Sequence, residues 1–593
     1  MASFSATVIT TKGHSLMAKI QAGTANPTFT QIKVSDTDYS AYTQAQKEAL
    51  TSISGVKQLK VIADVSKVNA SSVKVSSVVD NVSLATGYYL KTIGLYAMDP
   101  SEGEILYSVT TAVNADWIPP NTGISVTSII IDLITTVSNS DNVSVAVDPN
   151  ATATVQMVND LNDKISDLQG FVGYTDEDIF GVEVDFTSRT FKRLAAAVNK
   201  LPGVDFDSVQ LFGGRKRCNV NNEGVIIAYH GDAAYTETGT LLQEVTINEV
   251  TYPVGEKVQV MVEQPKFYYK VVPLELDKVV DGKGFHMRKA RYYVSDVKKS
   301  GFKLHPAFIH NGKEKNFIYL SAYEGSLYDV SVSDYILDDA QIADFTVTDG
   351  DMLSSIANTK PISGLTQDLT RAKTRIIANN RGSGWEQAYA ATISATMMLF
   401  AVEYASFNTQ NAIGYGVLNK ASGAGNESEL TGATTNLGNA SGSVTNVNGY
   451  NVPSYRGEEN WWGNIWKWID GLNIFNQSDL YVSDHGFTDD VSTDPYEDAG
   501  ITIAKVNGYI SAFAYNESFD WLFFPSETVG DSSLPVGDYL YQTTTLDAWR
   551  VARLGGDWYY SSSGGGFYWS VTTTSSNRYR SIGGRLVYVP DAA

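Results

Sequence analysis

The sequence predicts an α+β protein, β-rich and multidomain, and three observations carry that prediction. The chain is 593 residues long. A single core organises roughly 100 to 200 residues, so about three to five domains are expected. Stretches such as SSVKVSSVVDNVSL and EILYSVTTAV alternate polar and apolar side chains, the period of strands with one buried face. Gly, Ser, Thr, Asn and Tyr abound while charged residues make up 18%, a balance that suits ordered sheets and turns more than helical bundles or disorder.

Charge and cysteine content exclude several classes. A net charge of -21 argues against nucleic acid as a partner, because phosphate binding needs local positive charge to release counterions. With Cys218 as the single cysteine, no intrachain disulfide can form. The opening MASFSATVITTKGHSLMAKIQAG lacks the apolar run of about 7 to 15 residues that a secretory signal needs. The apolar stretch 128–137 is short and broken by Asp132, so no membrane insertion is expected. The expectation is a protein made in a cytoplasm without a signal peptide, which reaches the outside by assembly into a particle released on lysis.

The elements follow in order. Residues 1–150 read as a strand-rich domain punctuated by Asp99-Pro100 and Pro119-Pro120-Asn121. One helix interrupts it, from about Ser40 to Ser52, with Ala41, Ala45, Ala49 and Leu50 at helical spacing. In residues 151–172, Ala151, Thr154, Val158, Leu161, Ile165 and Leu168 occupy heptad a and d positions, and Gly170 sits where a C-cap belongs. This predicts a short helical coiled-coil neck, with Val158, Leu161, Ile165 and Leu168 as its seam. About two and a half heptads are marginal alone, so flanking domains must support them. The preferred assembly is a homotrimer, although aliphatic a and d residues do not choose strongly between two and three strands. Residues 173–204 read as a helical linker, in which TSRTFKRLAAAVNKL presents Phe191, Leu194, Val198 and Leu201 on one face. Residues 205–593 read as one large, loop-rich β domain.

Within that last domain, YRGEENWWGNIWKWIDG at 455–471 sets Trp461, Trp462, Trp466 and Trp468 among glycine, asparagine and charged residues. Glycine lets backbones approach while indoles fill the space around them, so a compact irregular core is expected. The block, with Gly463 and Asn464, resembles the Gly-Asn-x-Trp-x-Trp signature of the C-type-lectin-like fold shared by formylglycine-generating enzymes and phage tropism determinants. VMVEQPKFYYKV (260–271), KLHPAFIHNGKEKNFIYLSAYEG (303–325) and SATMMLFAVEYASFNTQNAIG (394–414) resemble further segments of that fold in the same order. The resemblance implies core roles for the four tryptophans, Gly463, Asn464 and Arg585, the last on the fold's final strands with Trp558, Phe567 and Trp569. The N-terminal TTKGHSLMAKIQAGTANPTFTQIKVSD resembles the attachment domain that opens phage tail-collar fibres and baseplate proteins.

Catalysis finds little support. Formylglycine-generating enzymes use paired cysteines, and Cys218 stands alone and far upstream. His305 and His310 are separated by Pro306 and lack a third nitrogen ligand, so no metal site is expected. The acidic run FTDDVSTDPYEDAG (487–500) lacks the ligand order of a calcium loop and reads as a solvated insertion. Glu458, Glu459 and Asp470 are candidate carboxylates for glycan hydrolysis, but the resemblance makes Glu459 and Asn460 structural. No Gly-x-Ser-x-Gly elbow occurs. The expectation is a non-enzyme with no cofactor.

Binding has stronger support. From Tyr541 onward there are five arginines against three aspartates, with no lysine or glutamate. Tyr, Trp, Ser, Gly and Asn dominate, as in antibody loops, where aromatics give contact area at low entropic cost. Between the core anchors that the resemblance implies, the candidate ligand-binding residues are Tyr541, Trp549, Arg550, Tyr559, Tyr560, Ser561, Ser575, Asn577, Arg578 and Tyr579. By the resemblance, 541–582 is the variable face that meets a host receptor. The expected function is a tail fibre on the virion, held by tail baseplate proteins, that attaches to a host-cell surface glycan or protein without catalysis. Two alternatives stand beside it: a polysaccharide-degrading tailspike and a structural baseplate subunit.

Overall fold

The structure is a computed structural model; it describes residues 3–25, 28–69, 71–82, 84–121, 128–137, 144–145, 155–339, 350–364, 369–423 and 425–590. The chain divides into two compact units, Met1–Asn162 and Asp163–Ala593.

The first unit is built on a seven-stranded sheet whose central pair is Tyr88–Asp99 and Gly103–Ile118, with a second, three-stranded sheet of Asp64–Asn69, Ser72–Asp80 and Ser128–Thr136. Alternation puts Val73 and Val75 on one face, and Leu90 and Leu95, from a strand whose register shifts between Leu90 and Thr92, join them in one core with Leu16 and Ile20. Those last two come from a helix that the pattern reading missed, Thr11–Gln21. Thr10 caps it by accepting from the Gly13 amide at 3.0 Å. Gly13 is required there, since a Cβ would stand 2.2 Å from the Tyr107 carbonyl oxygen. The helix expected over Ser40–Ser52 shrinks to Gln44–Glu48, opened by a Thr43/Gln46 capping box. None of its residues is buried, so no packing extends it.

The neck segment expected at 151–172 forms a helix over Val155–Val172; Ala151 and Thr154 lie outside the described residues. Gly170 is inside the helix, not its cap, and glycine suits a close approach there, since a Cβ would meet Val272 at 2.8 Å. Of the seam residues, Ile165 and Leu168 are exposed, as are Phe171 and Val172 beyond them. Val158 and Leu161 lie on the helix with side chains outside the described set. The helix end is fastened by Arg291, which donates to the carbonyls of Gly170 (3.0 Å) and Phe171 (2.6 Å), and by Lys270 paired with Asp167 at 2.8 Å.

The helical linker expected at 173–204 is instead a β-hairpin, Phe180–Asp185 paired with Thr190–Ala195. Asp185 accepts from the Ser188 amide, and Arg189 turns through φ +59°, closing a tight loop where a helix would have to run on. Val198 and Leu201, placed on the helical face by spacing, are exposed. The hairpin joins the strand Phe285–Ser295 and so opens the large sheet of the second unit.

That sheet has 14 strands, and its far half runs through Gly508–Tyr515, Tyr539–Tyr541, Trp569–Thr573, Trp549–Leu554 and Trp466–Phe475. A six-stranded sheet, Ile226–Tyr229 to Trp385–Gln387, forms the other layer. Helix Ala390–Tyr404 has every residue but the last buried, which matches its apolar character on all sides. Its Phe400 meets Tyr455, Trp461 and Phe567 edge-on or tilted at 5.6 to 6.4 Å, joining helix and sheets into one core. The tryptophan block is half irregular and half regular: Trp461 and Trp462 lie in a turn, while Trp466 and Trp468 begin the strand Trp466–Phe475.

Candidate functional site

All four tryptophans of the block are buried, and ion pairs hold the backbone around them. Asn464, at φ +64°, accepts from the Glu429 amide at 2.6 Å and donates to Glu324 at 2.5 Å. Glu324 also pairs with buried Lys467 at 3.0 Å, and Lys467 donates to the carbonyl of Gly463 at 2.6 Å. Burial pushes the Lys467 ammonium down, with Glu324 opposing it. Arg585 ties the six-stranded sheet to the segment before the tryptophans, donating to the carbonyls of Ser321 and Glu459 at 2.7 and 2.8 Å.

The carboxylates weighed for hydrolysis are spent in the same way. Glu458 is bound by Arg215 and by Thr396 at 2.8 Å, Glu459 by Thr434 at 2.7 Å, and Asp470 by Arg375 at 2.8 Å. The acidic run at 487–500 is not wholly solvated: Asp489 is clamped by Arg371 and Arg375 at 2.6 and 2.8 Å, and Tyr496 is buried. His305 is enclosed by Phe267 and Trp521, and burial pushes its pKa down to about 3. His310 bonds Glu386 at 3.1 Å instead, so the two histidines serve separate contacts. Among the described residues, no three His, Cys, Asp or Glu side chains are grouped to hold a metal ion.

Against this satisfied interior, one surface stands out. The strands Tyr539–Tyr541, Trp569–Thr573 and Trp549–Leu554 lie side by side, and the loops that leave them enclose an open groove of about 610 Å³. The first strand and its exit supply Tyr541, Gln542, Thr543 and Thr544. Trp549–Leu554 and its loop supply Arg553, Asp557, Tyr559 and Tyr560. Trp569–Thr573 and its loop add Thr572, Thr573, Asn577, Tyr579 and Ser581, and Asn507 closes one side.

Three rings form the rim: Tyr541, Tyr559 and Tyr579 are 39%, 44% and 46% exposed. Tyr560 is stacked on Tyr559 at 4.8 Å and edge-on to Trp466 at 5.3 Å, so the Tyr559 side of the rim rests on the tryptophan block. At the floor, the Arg553 guanidinium lies 4.6 Å over the Trp466 ring, and its Nε donates to Ser570 Oγ at 3.1 Å. Asp557 is also buried and accepts from the Tyr559 amide at 3.3 Å. Burial pushes its pKa up to about 6 against the opposing pull of Ser581, the Tyr559 amide and two arginines.

Of the ten residues expected from sequence to bind ligand, the groove gathers Tyr541, Tyr559, Tyr560, Asn577 and Tyr579. The other five lie elsewhere. Trp549 packs with Phe475 and Tyr481 at 4.9 and 5.8 Å in a separate half-exposed patch. Arg550, read as a surface residue, is buried, as are all the residues that follow it on its strand, and it donates to the Trp549 carbonyl at 2.6 Å. Ser561 bonds the Tyr415 hydroxyl at 3.0 Å, Ser575 is tied to the Asp490 carboxylate, and Arg578 is exposed on the loop beside the groove. Sequence reasoning passed over Arg553 and Asp557, although a charge inside the apolar run VARL was a usable signal. Asn507 gave none, since only the sheet brings it near.

Comparison with known proteins bears on the two units unequally. No curated protein matches the chain. Among solved structures, the Major Tropism Determinant P3c variant aligns over 63% of this chain and 71% of its own at 9% identity and a TM-score of 0.22. The U1 variant aligns over the same shares at 11% identity and 0.21. Scores this low establish no shared fold. Residues 1–156, by contrast, match the family model of the phage tail-collar fibre protein N-terminal domain. The chain therefore opens with a domain similar to the N-terminal domain of phage tail-collar fibre proteins.

Proposed function

We propose that this protein is a receptor-binding fibre of a phage tail, held to the tail by its N-terminal domain and adhering to the host surface through the tyrosine-rimmed groove of its second unit. The observation that carries the reading is the groove itself. Three half-exposed tyrosines rim it, and one of them, Tyr559, stacks on half-buried Tyr560, which in turn packs on buried Trp466, giving large contact area with a firm base on that side. Adhesion without turnover suits the lining, where Asp557 is the one carboxylate among the described residues, whereas glycoside hydrolysis ordinarily uses a facing pair.

The helix Val155–Val172 is the proposed trimeric neck. Its exposed Ile165, Leu168 and Val172 continue the a and d spacing, and burial against partner helices is what such a stripe requires. Three weak sites per trimer then gain avidity by rebinding at high effective concentration.

Adsorption of the labelled full chain to a panel of bacterial strains tests the reading. Saturable binding to a narrow set of strains, lost in Tyr559→Ala with Tyr579→Ala, is the expected result. Undiminished adsorption by that double variant would sink the groove as the receptor site.

A further inference from the structure

The groove floor holds a buried charge that the protein leaves incomplete. Arg215, Arg217, Arg371 and Arg456 are buried and each has a carboxylate at ion-pair distance. Arg381 and Arg585, buried without a carboxylate, fill their guanidinium forks with carbonyl and hydroxyl acceptors. Arg553 is 6% exposed, yet only its Nε has an acceptor. Among the described residues, neither of its terminal amino groups has a hydrogen-bond partner, and no carboxylate reaches ion-pair distance. A buried guanidinium is costly unless paired, and Trp466 holds this one flat, with its free edge available to the groove. The planar fork matches a carboxylate bidentately.

The rest of the lining specifies what should carry that carboxylate. Among the described residues, no aliphatic, phenylalanine or tryptophan side chain lines the groove. Protein hot spots are anchored by apolar or aromatic groups seated in desolvated pockets, and this groove offers no such seat. It offers hydroxyl and amide groups from Thr543, Thr544 and Asn577 together with tyrosine rings, which suit the hydroxylated edge and apolar face of a pyranose.

We infer that the groove binds an acidic sugar residue of a surface polysaccharide, its carboxylate forked onto Arg553 and its ring against the rim tyrosines. This deepens, and rests on, the groove being the receptor site. The source is either a uronic acid or a nonulosonic acid, which share the carboxylate-bearing ring.

Calorimetric titration of the full chain with sodium glucuronate, N-acetylneuraminate and neutral glucose, together with cell adsorption, tests it. Expected is binding of one or both acids, with glucose weaker by about tenfold or more, the worth of a charged hydrogen-bond pair. Arg553→Lys, which keeps the charge but loses the fork, should weaken the acid by a similar factor while circular dichroism stays native. Tyr559→Ala, on the exposed rim, should weaken acid and glucose alike. Equal affinity for glucose and the acids would overturn the acidic-sugar inference while leaving the groove as a glycan site. Binding of cells through a protease-sensitive receptor, blocked by Tyr559→Ala, would overturn the glycan class. Adsorption that ignores Tyr559→Ala and Tyr579→Ala would remove the underlying reading.

Discussion

The Arg553 guanidinium lies over the Trp466 ring at 4.6 Å, so the charge at the groove floor is positioned by the tryptophan block in the core beneath it. A cation over an indole face is attracted by the ring quadrupole, and a buried setting strengthens that attraction. Core and surface are therefore coupled at one contact.

Trp466→Ala should uncouple them. Removing a buried indole costs about 3 to 5 kcal/mol by cavity formation, read as a lower denaturation midpoint of the second unit. The Arg553 fork would lose its support as well, so ligand affinity should fall even where the variant remains folded.

Lys467 and Glu324 are buried together at 3.0 Å. Lys467→Met should destabilise the second unit by about 3 to 5 kcal/mol, because it strands a carboxylate inside. Pairing it with Glu324→Gln should restore much of that loss. Chemical denaturation of the two single variants and the double completes the cycle.

Two buried groups should shape the response to pH in opposite senses. His305 has its pKa pushed down to about 3, from 6.5 unfolded, so the unfolded chain binds the extra proton between those values and stability drains away as pH falls through that window. Asp557 has its pKa raised to about 6 from 3.8, so the folded chain holds the extra proton, and this contribution is lost as pH rises through about 6. Thermal melts from pH 3 to 8 should show Asp557→Asn removing the second slope and leaving the first.

Leu168→Asp and Ile165→Asp should convert an associated chain into monomer by light scattering. Both side chains are exposed on the helix Val155–Val172, so neither change disturbs a packed core in the single chain. Adsorption to cells should fall as avidity is lost while titration with a small ligand stays unchanged.

Regular patterns were legible in the sequence where burial follows them. Alternation located the strands of the first unit, and the heptad located the helix at 155–172. The hairpin at 180–195 was misread because Phe191 and Leu194 satisfy helical spacing; what decides between the periods is the Asp185–Ser188 turn and pairing to a strand about a hundred residues later. The groove was half legible for the same reason. Tyr541, Tyr559 and Tyr579 announce themselves by residue type, whereas the burial of Arg550 follows from its strand being covered on both faces, which residue type does not reveal. Asn507 reaches the site only through long-range sheet order, which no local window contains.

The interior pairs Arg215–Glu458, Arg456–Glu403 and Lys467–Glu324 involve none of the residues on the groove rim. Tyr541, Tyr559 and Tyr579 can therefore be exchanged singly for other residues without unlocking one internal clasp. On the proposed reading of the groove as the receptor site, specificity would drift by point substitution while the framework beneath stays fixed, and a lineage carrying this chain would follow a changing target without first re-inventing its fold.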